Sequence, residues 1–470
     1  MSYKLSKILM TELCLNIENL IHAYRVGSLT PTKVIHQIYQ RIEECTDNPI
    51  WITLLDRLIV LRSLEELEER VRIRGLEAFP LYGIPFAVKD NIDVANLPTT
   101  AGCPAYAYQA SQHATVVEKL LDAGAILIGK TSLDQFATGL VGTRSPWGAC
   151  RNAFNSEYIS GGSSSGSAVA VAKGFVSFAL GTDTAGSGRV PAAFNNIVGL
   201  KPTKGLLSTF GVVPASRSLD CVSVFSLNCE DARRIFEITQ GFDSQDSYSR
   251  PFPIESPKAL SKKEFRFGVP KLEQLEFFGD REASQLFEQS IRNLESLSGQ
   301  PVEIDFAPFR EVAQSLYSGA WIVERYSGLK EFVASHPDDV LPVIKQILSL
   351  AEKFSAVDVF DTLQNLQALK QRTHKEWEKM DILLLPTTGT IYKIAEVEAE
   401  PIQLNSNLGY YTNFVNLLDL CAIALPAGFR KQEFNHGLPF GITLIAPPFK
   451  DVGLCEIGTV YEQVFSDALL

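Results

Sequence analysis

The chain has 470 residues, of which 46% are hydrophobic and 21% charged, so it can bury a large core and is too apolar to be disordered. Its net charge of −11, with no cluster of lysine and arginine, excludes the basic surface that nucleic acids and anionic membranes require. The eight cysteines lack metal-ligand spacing, and the N-terminus lacks a signal-peptide pattern. No apolar run is as long as a membrane span, which needs about 18 residues. We therefore expect a cytoplasmic protein.

Residues 1–75 carry apolar side chains at helical spacing. Thr30 and Pro31 predict the start of one helix, because threonine accepts hydrogen bonds at an N-cap and proline fits the first turn. We therefore expect a helical N-terminal segment that packs on the core of a larger domain.

The rest of the chain alternates between short apolar runs and helical stretches. The clearest runs are GIPFAV, AILIG, VSFAL and SVFSL, followed later by DILLLP, AIALPAGF and PFGITLIA. Amphipathic helices are predicted near 282–297 and 355–380. This pattern predicts one α/β domain over 76–470, with one large mixed β-sheet sandwiched by helices. The polar stretch 241–264 is predicted to be a long surface connection within that domain.

The stretch GAILIGKT (124–131) matches the pattern of a phosphate-binding loop. Its context disagrees, because Thr115 and Glu118 form a capping box for a preceding helix, which places Gly124 at the C-terminus of that helix. Residues 125–128 are then a buried strand rather than a loop that can curl around a phosphate. We therefore do not expect nucleotide hydrolysis.

The stretch GSSSG (162–166) matches the nucleophile elbow of α/β-hydrolases, with Ser164 at its centre. Such an esterase needs a strand directly before the elbow and a histidine after it. The preceding segment is polar and resembles a loop, although a later histidine could supply the base; the candidates are His336, His374 and His436. An esterase centred on Ser164 therefore stays open as an alternative.

A serine hydroxyl is a weak nucleophile without an adjacent base, and none of the six histidines is near a Ser/Gly-rich turn in the sequence. Lys89 follows an apolar run and can serve as the base if burial keeps it neutral. The alternative is that Lys89 is structural and pairs with Asp90 or Asp93.

A second Ser/Gly-rich turn follows the run VSFAL and presents Ser187. Consecutive backbone amides on such a turn can point at one spot, as an oxyanion hole requires. Gly186 and Gly188 would allow a substrate to approach the backbone closely. The alternative is an ordinary glycine-rich turn or a phosphate nest.

Three blocks, GIPFAVKD, GGSSSGS and DTAGSGR, resemble the signature of the amidase signature family. The resemblance implies the α/β fold of that family and a catalytic triad in which Ser187 is the nucleophile, Ser163 is the bridging serine beside a cis peptide bond, and Lys89 is the base. It implies neither a cofactor nor a metal. The oxyanion hole that it implies is formed by the amides of Thr184, Ala185, Gly186 and Ser187.

Within that family the chain is most similar to the allophanate hydrolases, and Ala185 and Gly188 agree with this subgroup. The resemblance implies hydrolysis of the terminal amide of allophanate, a small anionic amide, with urea carboxylase as the pathway partner. We expect release of the first ammonia without the C-terminal domain that many allophanate hydrolases carry. A homodimer is the expected assembly, although the sequence itself does not reveal it. Other amidases, such as the A subunit of an amidotransferase or a small aliphatic amidase, stay open as alternatives.

An anionic substrate requires a local cation, because the overall negative charge does not attract it. Arg325 is our choice, since its guanidinium can bind a carboxylate through two hydrogen bonds. Tyr317 lies about two helical turns earlier, and the pair resembles the substrate-binding tyrosine and arginine of allophanate hydrolases. One alternative is that Arg325 pairs with Glu324 or Glu331 on the surface. Another is that Arg189 binds the carboxylate instead, unless Arg189 only holds the catalytic turn.

Overall fold

The computed structural model describes residues 13–253, 260–261, 263–431 and 437–469. The α-helices in these ranges are α1 (Ile17–Arg25), α2 (Pro31–Glu43), α3 (Arg57–Arg74), α4 (Thr115–Asp122), α5 (Ser165–Ala172), α6 (Val190–Phe194), α7 (Cys229–Thr239), α8 (Arg281–Ser296), α9 (Ala307–Ser318), α10 (Trp321–Ser335), α11 (Pro342–Ser349), α12 (Ala356–Trp377), α13 (Ile394–Ala399), α14 (Gln403–Leu408), α15 (Phe414–Leu417) and α16 (Asp451–Leu469). The strands are β1 (Trp51–Leu54), β2 (Pro85–Lys89), β3 (Pro98–Thr99), β4 (Tyr108–Gln109), β5 (Ile126–Thr131), β6 (Phe178–Asp183), β7 (Val198–Lys201), β8 (Cys221–Ser226), β9 (Phe265–Pro270), β10 (Gly299–Ile304), β11 (Ile382–Pro386), β12 (Cys421–Phe429) and β13 (Pro439–Ala446).

Among the described residues, eleven strands form one mixed sheet in the order β1-β5-β2-β6-β8-β7-β12-β13-β11-β9-β10, and β3 pairs with β4 separately. The pairs β5/β2, β2/β6, β11/β9 and β9/β10 are parallel, and the other neighbours in the large sheet are antiparallel. β1 and β10 are therefore the two edges of the sheet.

Side chains of β11 alternate between two hydrophobic clusters on opposite faces of the sheet. Ile382 and Leu384 pack in one cluster, and Leu383 and Leu385 pack in the other. Helices contribute to both clusters, so the sheet is buried on its two faces. This arrangement explains why the central strands are continuous apolar runs and confirms the predicted α/β class.

The predicted core elements are confirmed: each apolar run is a strand, and α8 and α12 match the two predicted amphipathic helices. The first helix boundary is also correct, because Thr30 accepts a hydrogen bond from the amide of Lys33 and Pro31 begins α2. Residues 254–259 and 262 of the predicted surface connection lie outside the described residues, and its described part contains neither helix nor strand. Every helix in the described ranges is too short or too polar to cross a bilayer.

Two sequence predictions are wrong in detail. The N-terminal segment is not purely helical, because β1 pairs with β5 at the edge of the sheet. Thr115 is the first residue of α4 rather than its N-cap, and its hydroxyl donates to Asp243 at 2.6 Å instead of forming a capping box with Glu118. The strand that was expected in place of a phosphate-binding loop is present as β5. The division of the chain at residue 75 stays a prediction.

Candidate active site

The site lies where two neighbouring parallel strands end. β2 ends at Lys89 and β6 ends at Asp183, and the register pairs Val88 with Leu180. Because the carboxyl ends of parallel strands meet at one edge, Lys89 comes next to the end of β6 and the turn that follows it. A short segment links this turn to α6.

Lys89 lies fully buried between two hydroxyl groups. Its Nζ donates to Ser163 Oγ at 2.8 Å and to Thr182 Oγ1 at 2.7 Å. Burial lowers the pKa of Lys89 to about 7, against the raising effect of nearby carboxylates, of which Asp134 is the largest contributor. A substantial neutral fraction of Lys89 is therefore available near neutral pH to accept a proton.

In the described structure Lys89 does not form the ion pair with Asp90 or Asp93 that was the structural alternative, because both carboxylates have other partners. Asp90 forms a buried ion pair with Lys130 at 2.9 Å. Asp93 accepts hydrogen bonds from the hydroxyls of Thr99 and Tyr108, each at 2.7 Å. Lys130, the lysine of the apparent phosphate-binding pattern, is thus a buried structural group.

Ser163 follows a cis peptide bond from Gly162, directly before α5. Its hydroxyl is the acceptor for Lys89, as the family resemblance predicted. The neighbouring Ser164 is packed against β6: its Oγ donates to the carbonyl of Thr182 at 3.1 Å and accepts from the amide of Thr182 at 3.2 Å. The alternative function, an esterase centred on Ser164, is therefore wrong, because this hydroxyl is a buried structural group.

The histidines proposed for that esterase do not rescue it. His336 is exposed and stacks on Phe332, and His374 is exposed on α12. His436 lies outside the described residues. In addition, the residues before Ser163 do not form the strand that a nucleophile elbow requires.

A buried ion pair shapes the turn that carries Ser187. Arg189 donates to both oxygens of Asp183, at 2.9 and 3.0 Å. Asp183 also accepts from the amides of Gly186 at 2.8 Å and Gly188 at 3.0 Å. Arg189 is completely buried, so its assignment as an alternative substrate anchor is wrong. It holds the turn in place instead.

The same bonds correct the predicted oxyanion hole. The amide of Gly186 already donates to Asp183, so it is not available to a substrate. Thr184, Ala185 and Ser187 line a small cavity, and within the described structure their amides donate to no other protein group. The role of these three amides in an oxyanion hole stays a prediction.

The glycines of the turn serve packing rather than substrate approach. A Cβ at Gly186 would overlap Thr412 at 2.5 Å, and Gly186 has a φ of +133°. A Cβ at Gly188 would lie 2.5 Å from the Cβ of Ser223. Both positions need glycine because the turn is pressed against neighbouring side chains.

The cavity beside Ser187 has a volume of about 70 Å³ and admits only a small ligand. Residues 137–140 and side chains of α10 line its other sides. Ser187 Oγ donates to the carbonyl of Gly139 at 3.4 Å, and no hydrogen bond joins it to Ser163 in the described structure. The relay that the family resemblance implies would need the hydroxyl of Ser187 to turn from Gly139 toward Ser163.

Arg325 lines this cavity from α10. Its Nη1 donates to Thr138 Oγ1 at 2.5 Å and to the carbonyl of Ala137 at 3.3 Å. An ion pair with Glu324 is not supported, because both carboxylate oxygens of Glu324 accept from Ser218, at 2.8 and 2.7 Å.

Tyr317 belongs to α9, but its side chain lies outside the described part of the structure. Its predicted contact with the substrate therefore stays a prediction.

Several supporting residues escaped the sequence analysis. Thr182 is the second acceptor for Lys89. Asp220 is buried and accepts from Thr184 Oγ1 at 2.5 Å and from the amide of Ala215 at 2.8 Å, which fixes the start of the catalytic turn. Burial raises the pKa of Asp220. The available signal was an aspartate beside an apolar run: Asp183 ends one such run, and Asp220 directly precedes another.

Comparisons with known proteins identify the family of the chain. A family model described as Amidase matches residues 33–455. The chain is 47% identical over 416 residues to the urea amidolyase of Saccharomyces cerevisiae, in an alignment that covers 88% of this chain but 22% of that protein. It is 34% identical to the A subunit of the glutamyl-tRNA(Gln) amidotransferase of Symbiobacterium thermophilum, over 96% of each. An allophanate hydrolase structure from Kluyveromyces lactis matches with a TM-score of 0.89 and 42% identity, over 96% of this chain and 72% of that one.

Proposed function

The chain belongs to the amidase family, and from that premise we propose that it hydrolyses the terminal amide of allophanate and releases ammonia. One observation carries the choice of substrate: a guanidinium, that of Arg325, lines the same small cavity as Ser187. The cavity therefore offers a binding group for an anion beside a nucleophile for an amide.

The proposed reaction begins with a proton transfer. Ser187 attacks the amide carbon, and its proton passes through the hydroxyl of Ser163 to neutral Lys89. The relay then returns the proton to the departing nitrogen, which leaves as ammonia. Water attacks the acyl-enzyme, gives its proton to the same relay and frees the serine. The relay uses no cofactor and no metal.

Negative charge develops on the carbonyl oxygen during both attacks. Thr184, Ala185 and Ser187 line the cavity, and their amides would donate to this oxygen. The Asp183–Arg189 pair fixes their direction in advance, so little reorganisation is needed when the charge forms. Arg325 would hold the substrate carboxylate, with Tyr317 as a second donor.

The remaining product is N-carboxycarbamate, the dicarboxylate formed when the amide nitrogen is replaced by oxygen. It loses carbon dioxide in solution and yields a second ammonia. A urea carboxylase would supply allophanate, and the naming of the similar proteins as urea amidolyases supports this partner. We place the enzyme in the cytoplasm as a homodimer. Sedimentation velocity of the purified protein measures its oligomeric state.

One assay tests the proposal. Ammonia release is measured with allophanate, urea, malonamate, glutamine and acetamide at equal concentrations. We expect allophanate to have the highest kcat/KM, with malonamate next because it keeps the carboxylate and the terminal amide. Preference for glutamine would favour the function of an amidotransferase, with whose A subunit the chain aligns over nearly its full length. Preference for acetamide would favour a small aliphatic amidase.

A further inference from the structure

A loop between β5 and the cis-serine turn contacts both ends of the proposed substrate site. We call it the Asp134 loop (residues 134–144). Its Thr138 hydroxyl accepts from Arg325 at 2.5 Å. One residue later, the carbonyl of Gly139 accepts from Ser187 Oγ at 3.4 Å. The group for anion binding and the nucleophile are thus attached to adjacent residues of one loop.

The carboxylate of Asp134 holds the shape of this loop. Its Oδ2 accepts from the amides of Val141 at 3.2 Å and Gly142 at 3.1 Å, and its Oδ1 accepts from the amide of Arg144 at 2.9 Å. Asp134 is completely buried, so these bonds are made away from water. Three charge-assisted hydrogen bonds on one carboxylate are strong enough to fix a loop backbone.

The loop needs such an anchor because its backbone is strained. Phe136 and Ala137 have φ angles of 52° and 53°, in the left-handed region that side chains disfavour. Residues in this region are strained and persist only where their surroundings hold them.

Asp134 also contacts the bridging serine. Its own amide donates to the carbonyl of Ser163 at 3.0 Å. No side chain fits at Gly162, because a Cβ there would overlap the Asp134 carboxylate. The position of the Ser163 peptide is therefore tied to the position of Asp134.

We propose that Asp134 is a positioning residue, which couples substrate binding at Arg325 to the alignment of the two serines of the relay. The inference rests on the proposed function, because it takes Arg325 as the anion site. When a substrate carboxylate binds Arg325, the hydrogen bond from Arg325 to Thr138 changes, and this change reaches the neighbouring Gly139. Because Asp134 fixes the rest of the loop, the change turns Ser187 from Gly139 toward Ser163.

The charge of Asp134 has a second effect at Lys89. The charged groups that act on Lys89 are the carboxylates Asp134, Asp220 and Asp183 and the guanidinium of Arg325. Lys89 becomes an ammonium ion each time that it accepts the serine proton. A fixed negative charge nearby favours this ion, and so stabilises the state in which the serine attacks.

The test is Asp134→Asn, which keeps the shape of the side chain and removes its charge. We expect kcat to fall about 100-fold or more on the preferred substrate, as misalignment of reacting groups typically causes. We expect kcat/KM to fall at acidic pH as Lys89 becomes protonated, and we call this fall the acid limb of the pH profile. In Asp134→Asn the acid limb should move to lower pH, because Lys89 loses a neighbouring anion. A role limited to folding would lower the melting temperature without moving this limb.

A matched control is Asp93→Asn. Asp93 also accepts two side-chain hydrogen bonds, but it is not among the charged groups with the largest effect on the pKa of Lys89. We expect a lower melting temperature and an unchanged acid limb. Thr138→Val provides a second variant in case Asp134→Asn does not fold: it removes the contact with Arg325 and should raise KM for the anionic substrate while the acid limb stays in place.

Two outcomes would overturn the inference: a folded Asp134→Asn enzyme with an unmoved acid limb, or a Thr138→Val enzyme with unchanged KM for the anion. All variants are assayed with whichever amide the wild-type enzyme prefers. If that amide is not anionic, the proposed function fails, whereas the acid limb of Asp134→Asn still reports the effect of the Asp134 charge on Lys89.

Discussion

At the scale of single residues, Lys89 sets the pH dependence of the proposed reaction. Burial lowers its pKa to about 7, and only the neutral amine can accept the serine proton. We therefore expect kcat/KM to fall as the pH decreases through about 7, with a slope of one proton. A pH profile from 5 to 9 in buffers of constant ionic strength measures this limb. A rate that stays flat from pH 5 to 7 would exclude Lys89 as the base.

Substitution of any one of the three proposed catalytic side chains should remove most of the activity. Ser187→Ala is expected to abolish acylation, and Ser163→Ala and Lys89→Ala should each lower kcat by several orders of magnitude, because members of a relay act as a unit. Ser164→Ala is the matched control: its hydroxyl only bonds the backbone of Thr182, so it should mainly reduce stability. Ammonia release and mass spectrometry of the trapped acyl-enzyme distinguish the variants. Full activity of Ser187→Ala would refute the assignment.

Arg325 should determine specificity rather than rate. Arg325→Ala is expected to raise KM for allophanate by about 10-fold to 100-fold, because a lost hydrogen bond to a charged group weakens binding by about 1.5 to 3 kcal/mol. Hydrolysis of an uncharged amide should hardly change, since that substrate has no carboxylate to bind. Steady-state kinetics on both substrates make the comparison. Equal losses would show that Arg325 supports the fold of the site instead.

The sequence predicted these residues with unequal success. The motifs that contain Lys89 and Ser163 predicted that the two side chains lie together, and the structure brings them into contact. The catalytic roles of Lys89, Ser163 and Ser187 stay predictions. Thr182 was missed because its bond to Lys89 depends on the pairing of β2 with β6, which no local pattern contains. For the same reason the sequence left Arg189 open as a substrate anchor or as a support of the turn, since its partner Asp183 faces it only once the turn has folded.

At the scale of elements, the turn between β6 and α6 depends on the buried pair of Asp183 and Arg189. Burial raises the pKa of Asp183, but the guanidinium of Arg189 outweighs it and holds the pKa below the usual value. Asp183→Asn would leave Arg189 buried without its counter-charge, so we expect a loss of about 3 to 5 kcal/mol in unfolding free energy. Denaturant unfolding monitored by circular dichroism measures it.

The control for this loss of stability is an ion pair on the surface of the protein. Glu311 and Arg372 lie on the surface with nearly half of each side chain exposed. Glu311→Gln should therefore cost less than about 1 kcal/mol. Similar losses for Glu311→Gln and Asp183→Asn would contradict the special role of burial.

Element prediction failed where an element is short and its partner is distant in sequence. β1 spans Trp51–Leu54, which is too few residues for an alternating pattern to stand out from the helices around it. It becomes a strand because the open edge of β5 offers hydrogen-bond partners. The capping-box pattern at Thr115 failed similarly, because Asp243 competes for its hydroxyl from 128 positions away.

At the scale of the whole molecule, α7 joins the first and last described helices. The amide of Ile17 in α1 donates to Asp231 of α7 at 3.1 Å, and the amide of Cys229 in α7 donates to Glu462 of α16 at 3.0 Å. Burial raises the pKa of Asp231 to about 6 and that of Glu462 to about 7. Both carboxyl groups therefore keep their protons to a higher pH in the folded chain than in the unfolded chain.

These shifts predict the pH dependence of stability. A carboxyl group with a raised folded-state pKa contributes its full stabilisation below its ordinary pKa and loses it as the pH rises through the folded value. Glu462→Gln keeps a neutral acceptor for Cys229, so its melting temperature relative to the wild type should increase between pH 5 and 8. Scanning calorimetry at several pH values measures the difference. A constant difference would show that Glu462 does not titrate in this range.

The edge strand β10 limits how copies of this chain can associate. An exposed edge of a sheet can recruit a strand from another molecule and lead to aggregation. Here Gln300, Pro301 and Glu303 are exposed along β10, and proline has no amide hydrogen to donate. The proline interrupts the row of donors, and the charge of Glu303 opposes burial against a second strand. An intermolecular sheet through β10 is therefore disfavoured, and a dimer of this enzyme should form through other surfaces.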